Sequence, residues 1–208
     1  MTVTLSIRGI VSIALVLVAV LSLRSAPPAG AEDLSGAVPR GTHEIGLLGG
    51  PAFPWRILDS QTTKLFGAAI VPSWAVTLTD PVGSGWIRGQ LAFGAELLTF
   101  RMHQPVTAYG VGLSPKLRYT FTGWDRLHPY VDGGGGPIWT DLGGRVPEEP
   151  GQFNFVVWGG AGLSWQATPE WSVNAGGRFY HISNAGTRHP NSGLNFGMPF
   201  VGLTRSIP

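Results

Sequence analysis

One segment near the middle of the chain limits the possible folds more than any other. From Tyr109 to Phe121, odd-numbered residues are apolar or aromatic, and even-numbered residues are small, polar or cationic. Successive side chains of a β-strand point to opposite faces, so this alternation predicts a strand with one apolar and one polar face. The segment is longer than most strands of soluble proteins and long enough to cross a bilayer at a tilt.

Similar alternation recurs along the chain, while long helical periodicity is absent. It predicts eight strands, near residues 42–50, 64–78, 86–100, 107–121, 128–140, 153–167, 171–183 and 193–205. An even number of strands with apolar residues outside and polar residues inside is typical of bacterial outer-membrane barrels. We therefore expect an all-β protein, an eight-stranded antiparallel transmembrane β-barrel. Five charged residues are expected to face its interior and to pair there: Arg88, Glu96, Lys116, Arg118 and Arg178.

Some features weigh against this barrel. The chain ends at Pro208 without the terminal aromatic residue that such barrels usually carry, and Pro199 interrupts the last predicted strand. Proline removes a hydrogen-bond donor from a sheet. The glycine run 133–136 indicates a bulge, a kink or a wrong strand count. A secreted, soluble β-protein is the alternative.

The N-terminus has the pattern of a secretory signal peptide. Arg8 precedes an apolar run over residues 9–23, and Ala29 and Ala31 form a small-residue cleavage site. The apolar run is shorter than a membrane-spanning helix requires. We therefore predict a signal peptide over residues 1–31 and a single barrel domain over residues 32–208.

Composition excludes several classes of function. The chain has no cysteine, which excludes disulfides and thiolate chemistry, and its formal net charge is only +2. No run of Lys and Arg indicates nucleic-acid binding. His181 and His189 lack nearby carboxylates, so no metal site is predicted, and no cofactor is expected.

The end of the seventh predicted strand carries a histidine and a serine two residues apart. His181 and Ser183 share one face of the strand, in phase with the apolar residues Trp171, Val173 and Phe179. If the first strand leaves the periplasm, this pair lies at the outer surface and faces lipid. Polar groups there are costly unless they are used. A histidine beside a serine is the usual arrangement of a general base and its nucleophile.

The surrounding residues resemble a known family. The strings His181-x-Ser183-Asn184-Ala185-Gly186 and Pro190-Asn191-x-Gly193 are similar to those of outer-membrane lipid A 3-O-deacylases. The resemblance implies an eight-stranded barrel in the cell outer membrane with a lipid-facing catalytic triad. Such an enzyme removes the ester-linked 3-hydroxyacyl chain at position 3 of lipid A, so lipopolysaccharide and membrane lipids are the expected partners. It further implies that His181 is the base and Ser183 the nucleophile, and that Asn191 and amides near Gly186 bind the oxyanion. Asn184 is close enough in sequence to bind the oxyanion or substrate as well.

The third triad position departs from the family. The acidic residue of the family corresponds to Asn195, and no Asp or Glu follows Asn184. Asn195 also alternates with the apolar residues Leu194 and Phe196, which predicts an inward-facing side chain unless a bulge intervenes. Either asparagine orients the histidine less effectively, or Asp141 replaces it, or activity is reduced or lost. A catalytically silent barrel with a structural or binding role therefore remains an alternative, and a homodimer is left open.

Overall fold

The structure, a computed structural model, describes residues 37–55, 61–149 and 151–207. The predicted signal peptide lies outside these residues and stays a prediction. Eight strands form a closed antiparallel barrel in which each strand pairs with the next and the last pairs with the first. They are β1 (His43–Pro54), β2 (Phe66–Thr77), β3 (Gly89–Gln104), β4 (Ala108–Phe121), β5 (Leu127–Thr140), β6 (Phe153–Gln166), β7 (Trp171–Ser183) and β8 (Leu194–Ile207). The predicted all-β barrel with eight strands is confirmed.

The boundaries differ from the sequence-based expectation mainly at two strands. β1 continues to Pro54, and β3 begins only at Gly89, after a short 3-10 turn over Gly85–Ile87. Among the described residues, none forms a helix long and apolar enough to cross a membrane.

The barrel interior contains a buried network of opposite charges. The Glu96 carboxylate lies 3.1 Å from Lys116 Nζ and 2.8 Å from Arg178 Nη1. Asp132 lies 2.6 Å from Arg178 Nη2 and 3.2 Å from Arg118 Nη2. Buried charges are tolerated when they are paired and hydrogen-bonded. Four of the five predicted interior charges therefore pair inside the barrel, with Asp132 as an additional partner.

The prediction for Arg88 was wrong. Because β3 starts at Gly89, Arg88 caps the preceding 3-10 turn and is exposed. It therefore contributes to a connection between strands and not to the interior network.

The glycine run forms continuous strand within β5, and the predicted uncertainty in strand count is resolved. A Cβ on Gly134 would lie 2.2 Å from the Pro115 carbonyl oxygen and 3.1 Å from the Trp158 ring. The missing side chain thus gives space to Trp158, whose ring lies 4.1 Å from the Arg178 guanidinium carbon.

Pro199 is accommodated by a matching proline. The register of β1 with β8 continues on both sides of a break, from Gly49 opposite Val201 to Phe53 opposite Gly197. Within that break, the same register sets Pro51 opposite Pro199, so both missing N–H donors fall at one position of the ladder and interrupt it only there.

Candidate active site

The end of β7 presents His181 and Ser183 on the outer face of the barrel. Both residues are half-buried and alternate with Tyr180 and Ile182, which are buried inside. The outward apolar phase that the sequence predicted for this pair is confirmed. β1 and β7 run in the same direction, so the pair lies at the end of the barrel where β1 ends, which is the end that the sequence predicts to be the outer one.

Asn195 is directly opposite His181, and the prediction that it faces inward was wrong. The two residues pair across β7 and β8, and His181 Nδ1 lies 2.8 Å from Asn195 Oδ1. Directly opposite residues point to the same face of a sheet. The pairing of β7 with β8 runs without a register shift, so no bulge is needed.

The error arose because β8 directs its apolar residues inward. Phe196, Met198 and Phe200 are buried, and the Phe196 ring stacks on Tyr180 at a centroid distance of 5.1 Å. This part of the interior is therefore filled by aromatic and apolar side chains, and Asn195 belongs to the outward phase of β8.

Gly193 leaves room for the imidazole. It has a positive φ of 69°, and a Cβ at this position would lie 2.7 Å from His181 Cε1 and 3.3 Å from Nε2. A side chain here would therefore displace the ring edge that carries the second nitrogen. The resemblance included this glycine, and the structure supplies a physical reason for it.

The connection after β7 is closed by Asn184. Its backbone N–H donates to Asn191 Oδ1 at 3.0 Å, and its side-chain amide donates to the Pro190 carbonyl at 3.3 Å. The Asn184 carbonyl accepts from the Thr187 hydroxyl at 2.8 Å. Because Asn184 is only 1% exposed, it organises this loop and is unsuited to the predicted contact with substrate.

Asn191 and the following turn retain donors for a ligand. Asn191 is exposed, and its Oδ1 accepts a hydrogen bond from the Asn184 backbone amide. This bond does not use the side-chain N–H groups of Asn191, which can donate to a ligand. Ala185 and Gly186 have positive φ values of 53° and 75°. Their amides make none of the hydrogen bonds that close the loop. A non-glycine residue in this conformation is uncommon and often marks a functional turn.

Asp141 does not replace the missing acid. Its carboxylate accepts from the Tyr109 amide at 2.6 Å and pairs with Arg145 at 3.2 Å, on the β4–β5 side of the barrel. The partner of His181 Nδ1 among the described residues is Asn195.

Residues that no sequence pattern indicates support the backbone of Asn195. The Asn195 amide donates to Gln61 Oε1 at 2.8 Å, and Gln61 Nε2 donates to the Thr63 carbonyl at 2.9 Å. The amides of Thr62 and Thr63 both donate to Glu148 Oε1 at 2.7 Å. Burial disfavours the Glu148 carboxylate, but the hydrogen bonds from Thr63 and Thr62 outweigh this and keep its pKa below the ordinary value. These contacts link two loops to the strand that carries Asn195.

Aromatic side chains flank the polar group. Trp55 lies over Gly197, where a Cβ would be 2.6 Å from its ring, and meets the edge of Phe179 at 6.0 Å between centroids. On the other side, Phe153 and Phe155 form an edge-to-face pair at 5.4 Å, with Phe155 opposite Ser183 in the sheet. The outer face therefore combines a histidine, a serine and an amide with apolar surface suited to acyl chains.

Comparisons with known proteins agree with this fold. The family model for lipid A 3-O-deacylase (PagL) matches residues 64–204. The crystal structure of the outer membrane enzyme PagL superposes with a TM-score of 0.53 at 18% identity, covering 76% of this chain and 97% of that chain. The crystal structure of Neisserial surface protein A superposes with a TM-score of 0.55 at 15% identity, covering 81% of this chain and all of the other. No curated protein matches in sequence.

These findings exclude the soluble β-protein considered above and give the homodimer no support. The barrel lies in the outer membrane. The family match extends over most of the chain and includes His181, Ser183 and Asn195. The chain belongs to the lipid A 3-O-deacylase (PagL) family.

Proposed function

We propose that this protein is a serine esterase that removes the 3-hydroxyacyl chain ester-linked at position 3 of lipid A. Ser183 is the nucleophile, His181 the general base and Asn195 the residue that orients the imidazole. The observation that carries the proposal is the 2.8 Å contact between His181 Nδ1 and Asn195 Oδ1 on the face that also presents Ser183.

The contact selects one tautomer of the histidine. Asn195 Oδ1 can only accept a hydrogen bond, so His181 Nδ1 must donate its proton to it. The lone pair of the neutral ring then lies on Nε2, the nitrogen that takes a proton from the nucleophile. Asn195 thus provides the orienting function of the third triad member without its charge.

The reaction proceeds in two halves. Ser183 Oγ attacks the ester carbonyl carbon while its proton moves to His181 Nε2, and the tetrahedral intermediate expels the sugar 3-oxygen, which takes that proton. The acyl-enzyme is then attacked by water, whose proton passes to Nε2 and returns to Ser183 as the 3-hydroxy fatty acid leaves. The products are a free fatty acid and lipid A with a free 3-hydroxyl.

The developing oxyanion requires fixed hydrogen-bond donors. The side-chain amide of Asn191 and the backbone amides of Ala185 and Gly186 supply them, because the bonds within the loop leave these groups free for a ligand. One such donor contributes about 100- to 1,000-fold to kcat in enzymes where it has been removed. Asn191→Ala is therefore expected to lower kcat more than it changes KM.

Acyl chains reach this site from the membrane. Val157, opposite His181 in the sheet, is 62% exposed, and Phe153 is 60% exposed. These side chains face the hydrocarbon near its outer boundary, where the ester bonds of lipid A lie. A lipid-facing site therefore needs no channel through the charged barrel interior.

The test is a mass spectrum of lipid A after incubation of lipopolysaccharide membranes with the folded protein. The wild type should remove one 3-hydroxyacyl chain, and Ser183→Ala and His181→Ala should not. Fragmentation of the product should locate the free hydroxyl at position 3. An unchanged spectrum with folded wild-type protein would show that the barrel is catalytically silent.

A further inference from the structure

We propose that Glu148, in the loop between β5 and β6, is a positioning residue for the active site and acts on Asn195 through Gln61. This inference rests on the proposed function, since it assigns a role within the same catalytic group. Glu148 touches neither the nucleophile nor the base.

The first step is the support of the Asn195 backbone. β1 ends at Pro54, and beyond it Trp55 still donates its amide to the Asn195 carbonyl at 3.2 Å. The return bond from the Asn195 amide goes to Gln61 Oε1 at 2.8 Å instead of to a strand. A side chain thus completes the sheet ladder at the residue that orients His181.

The second step is the fixation of Gln61. Its side chain is 2% exposed, and its Nε2 donates to the Thr63 carbonyl at 2.9 Å. An amide with both ends bonded and no access to water is held in one orientation, with Oε1 directed at Asn195. The position of Gln61 therefore depends on that of Thr63.

The third step is the Glu148 carboxylate. It accepts four hydrogen bonds: from the amides of Thr62 and Thr63 at 2.7 Å each, from the Thr62 hydroxyl at 2.9 Å and from the Thr63 hydroxyl at 2.6 Å. Hydrogen bonds to a charged acceptor are stronger than those between neutral groups. Glu148 is only 1% exposed, so water does not replace it. Removing it takes the shared acceptor away from four donors and releases the segment that holds Gln61.

The consequence concerns catalysis more than binding. If the Asn195 backbone shifts, the hydrogen bond between its Oδ1 and His181 Nδ1 is weakened. The imidazole then also adopts the other tautomer, in which Nδ1 carries no proton. A displacement of about 1 Å in a catalytic group can cost about 100-fold in rate. The aromatic surface that binds acyl chains belongs to other residues, so KM should change little.

The experiment compares Glu148→Ala, Glu148→Gln, Gln61→Met and the double variant Gln61→Met/Glu148→Ala with the wild type. The matched control is Glu149→Gln, assayed at about pH 6, where the neighbouring Glu149 is mostly neutral like the amide; its side-chain carboxyl has no hydrogen-bond partner among the described residues. Each protein is first shown to be folded by its heat-modifiable mobility in detergent gels. Turnover of purified lipid A in micelles then gives kcat and KM, and nitrogen-15 NMR of labelled histidine gives the tautomer of His181.

Glu148→Ala and Gln61→Met should each lower kcat about 10- to 100-fold with KM within about twofold. Glu148→Gln, which retains one acceptor oxygen, should lie between Glu148→Ala and the wild type. The double variant should be no slower than the slower single variant, because both substitutions interrupt the same series of contacts. The His181 signal should lose its Nδ1–H form in both single variants and keep it in Glu149→Gln.

Unchanged kcat in folded Glu148→Ala, or losses that multiply in the double variant, would overturn the inference while leaving the esterase assignment intact. Failure of the proposed function is a different result, in which the folded wild type does not deacylate lipid A. In that case the tautomer measurement still tests whether Glu148 positions His181. A shift of the His181 signal in Glu148→Ala but not in Glu149→Gln supports the positioning role, and an unmoved signal overturns it.

Discussion

His181 and Asn195 form a non-hydrogen-bonded pair across β7 and β8. The backbone N–H and C=O of Asn195 are both engaged on the opposite side, by Gln61 and Trp55. Residues paired in this way approach more closely than those that exchange backbone bonds. The register of the sheet therefore brings the amide oxygen to within 2.8 Å of the imidazole.

A carboxylate at position 195 should raise activity. Asn195→Glu replaces a neutral acceptor with one that also stabilises the imidazolium formed during catalysis. The reverse exchange in a serine triad costs about 10,000-fold in kcat, so we expect at least a roughly tenfold increase here. Asn195→Gln is the matched control, because it has the same length without the charge. If both variants changed kcat equally, charge at this position would not matter to the enzyme.

An added methyl group at Gly193 should inactivate the enzyme. Its Cβ would lie 2.7 Å from His181 Cε1, and the positive φ of 69° disfavours any side chain. We expect Gly193→Ala to lower kcat about 100-fold through displacement of the ring. Gly144→Ala separates the two causes, because Gly144 has a φ of 73° and no atom within 4 Å of the added Cβ. Equal activity of Gly193→Ala and the wild type in the lipid A assay would contradict this account.

Removal of the central interior cation should weaken the barrel. Arg178 pairs with both Glu96 and Asp132, and the three side chains are fully buried. Arg178→Met leaves two carboxylates without their shared partner, which should lower the free energy of unfolding by about 3–5 kcal/mol. Urea titration of the protein in lipid vesicles measures this. Arg101→Met, at an exposed position, should change it by less than about 0.5 kcal/mol. Comparable losses in the two variants would argue against a structural role for the network.

The sequence predicted the strands because lipid outside and polar groups inside impose a period of two on nearly every segment. The same rule failed at Asn195, because part of the interior is filled by apolar residues such as Phe196 and Phe200. The hydrogen-bond partners of Asn195 and Thr62 could not be predicted from the sequence, for another reason. Gln61 lies 134 residues from Asn195, and Glu148 lies 86 residues from Thr62, so neither contact has a periodic signal in the chain.

The loop between β5 and β6 should open as pH rises, because of Glu149. Both of its carboxylate oxygens are buried without a hydrogen-bond partner, and the residue is 0% exposed. Burial, with a smaller effect of the neighbouring Glu148 charge, raises the pKa of Glu149 to about 7. A carboxyl group whose pKa is raised on folding favours the closed loop fully below its ordinary pKa of 4.5 and loses that contribution as pH rises through about 7.

Hydrogen exchange of residues 141–152 measures this opening. The wild type should exchange roughly tenfold faster than Glu149→Gln at pH 8.5 and at a similar rate at pH 5, because the amide stays neutral throughout. Comparison at each pH cancels the intrinsic dependence of exchange on pH. Since Glu148 lies in the same loop, lipid A turnover by the wild type should also fall relative to Glu149→Gln above pH 7. A constant ratio of exchange rates across this range would show that Glu149 does not titrate with the loop.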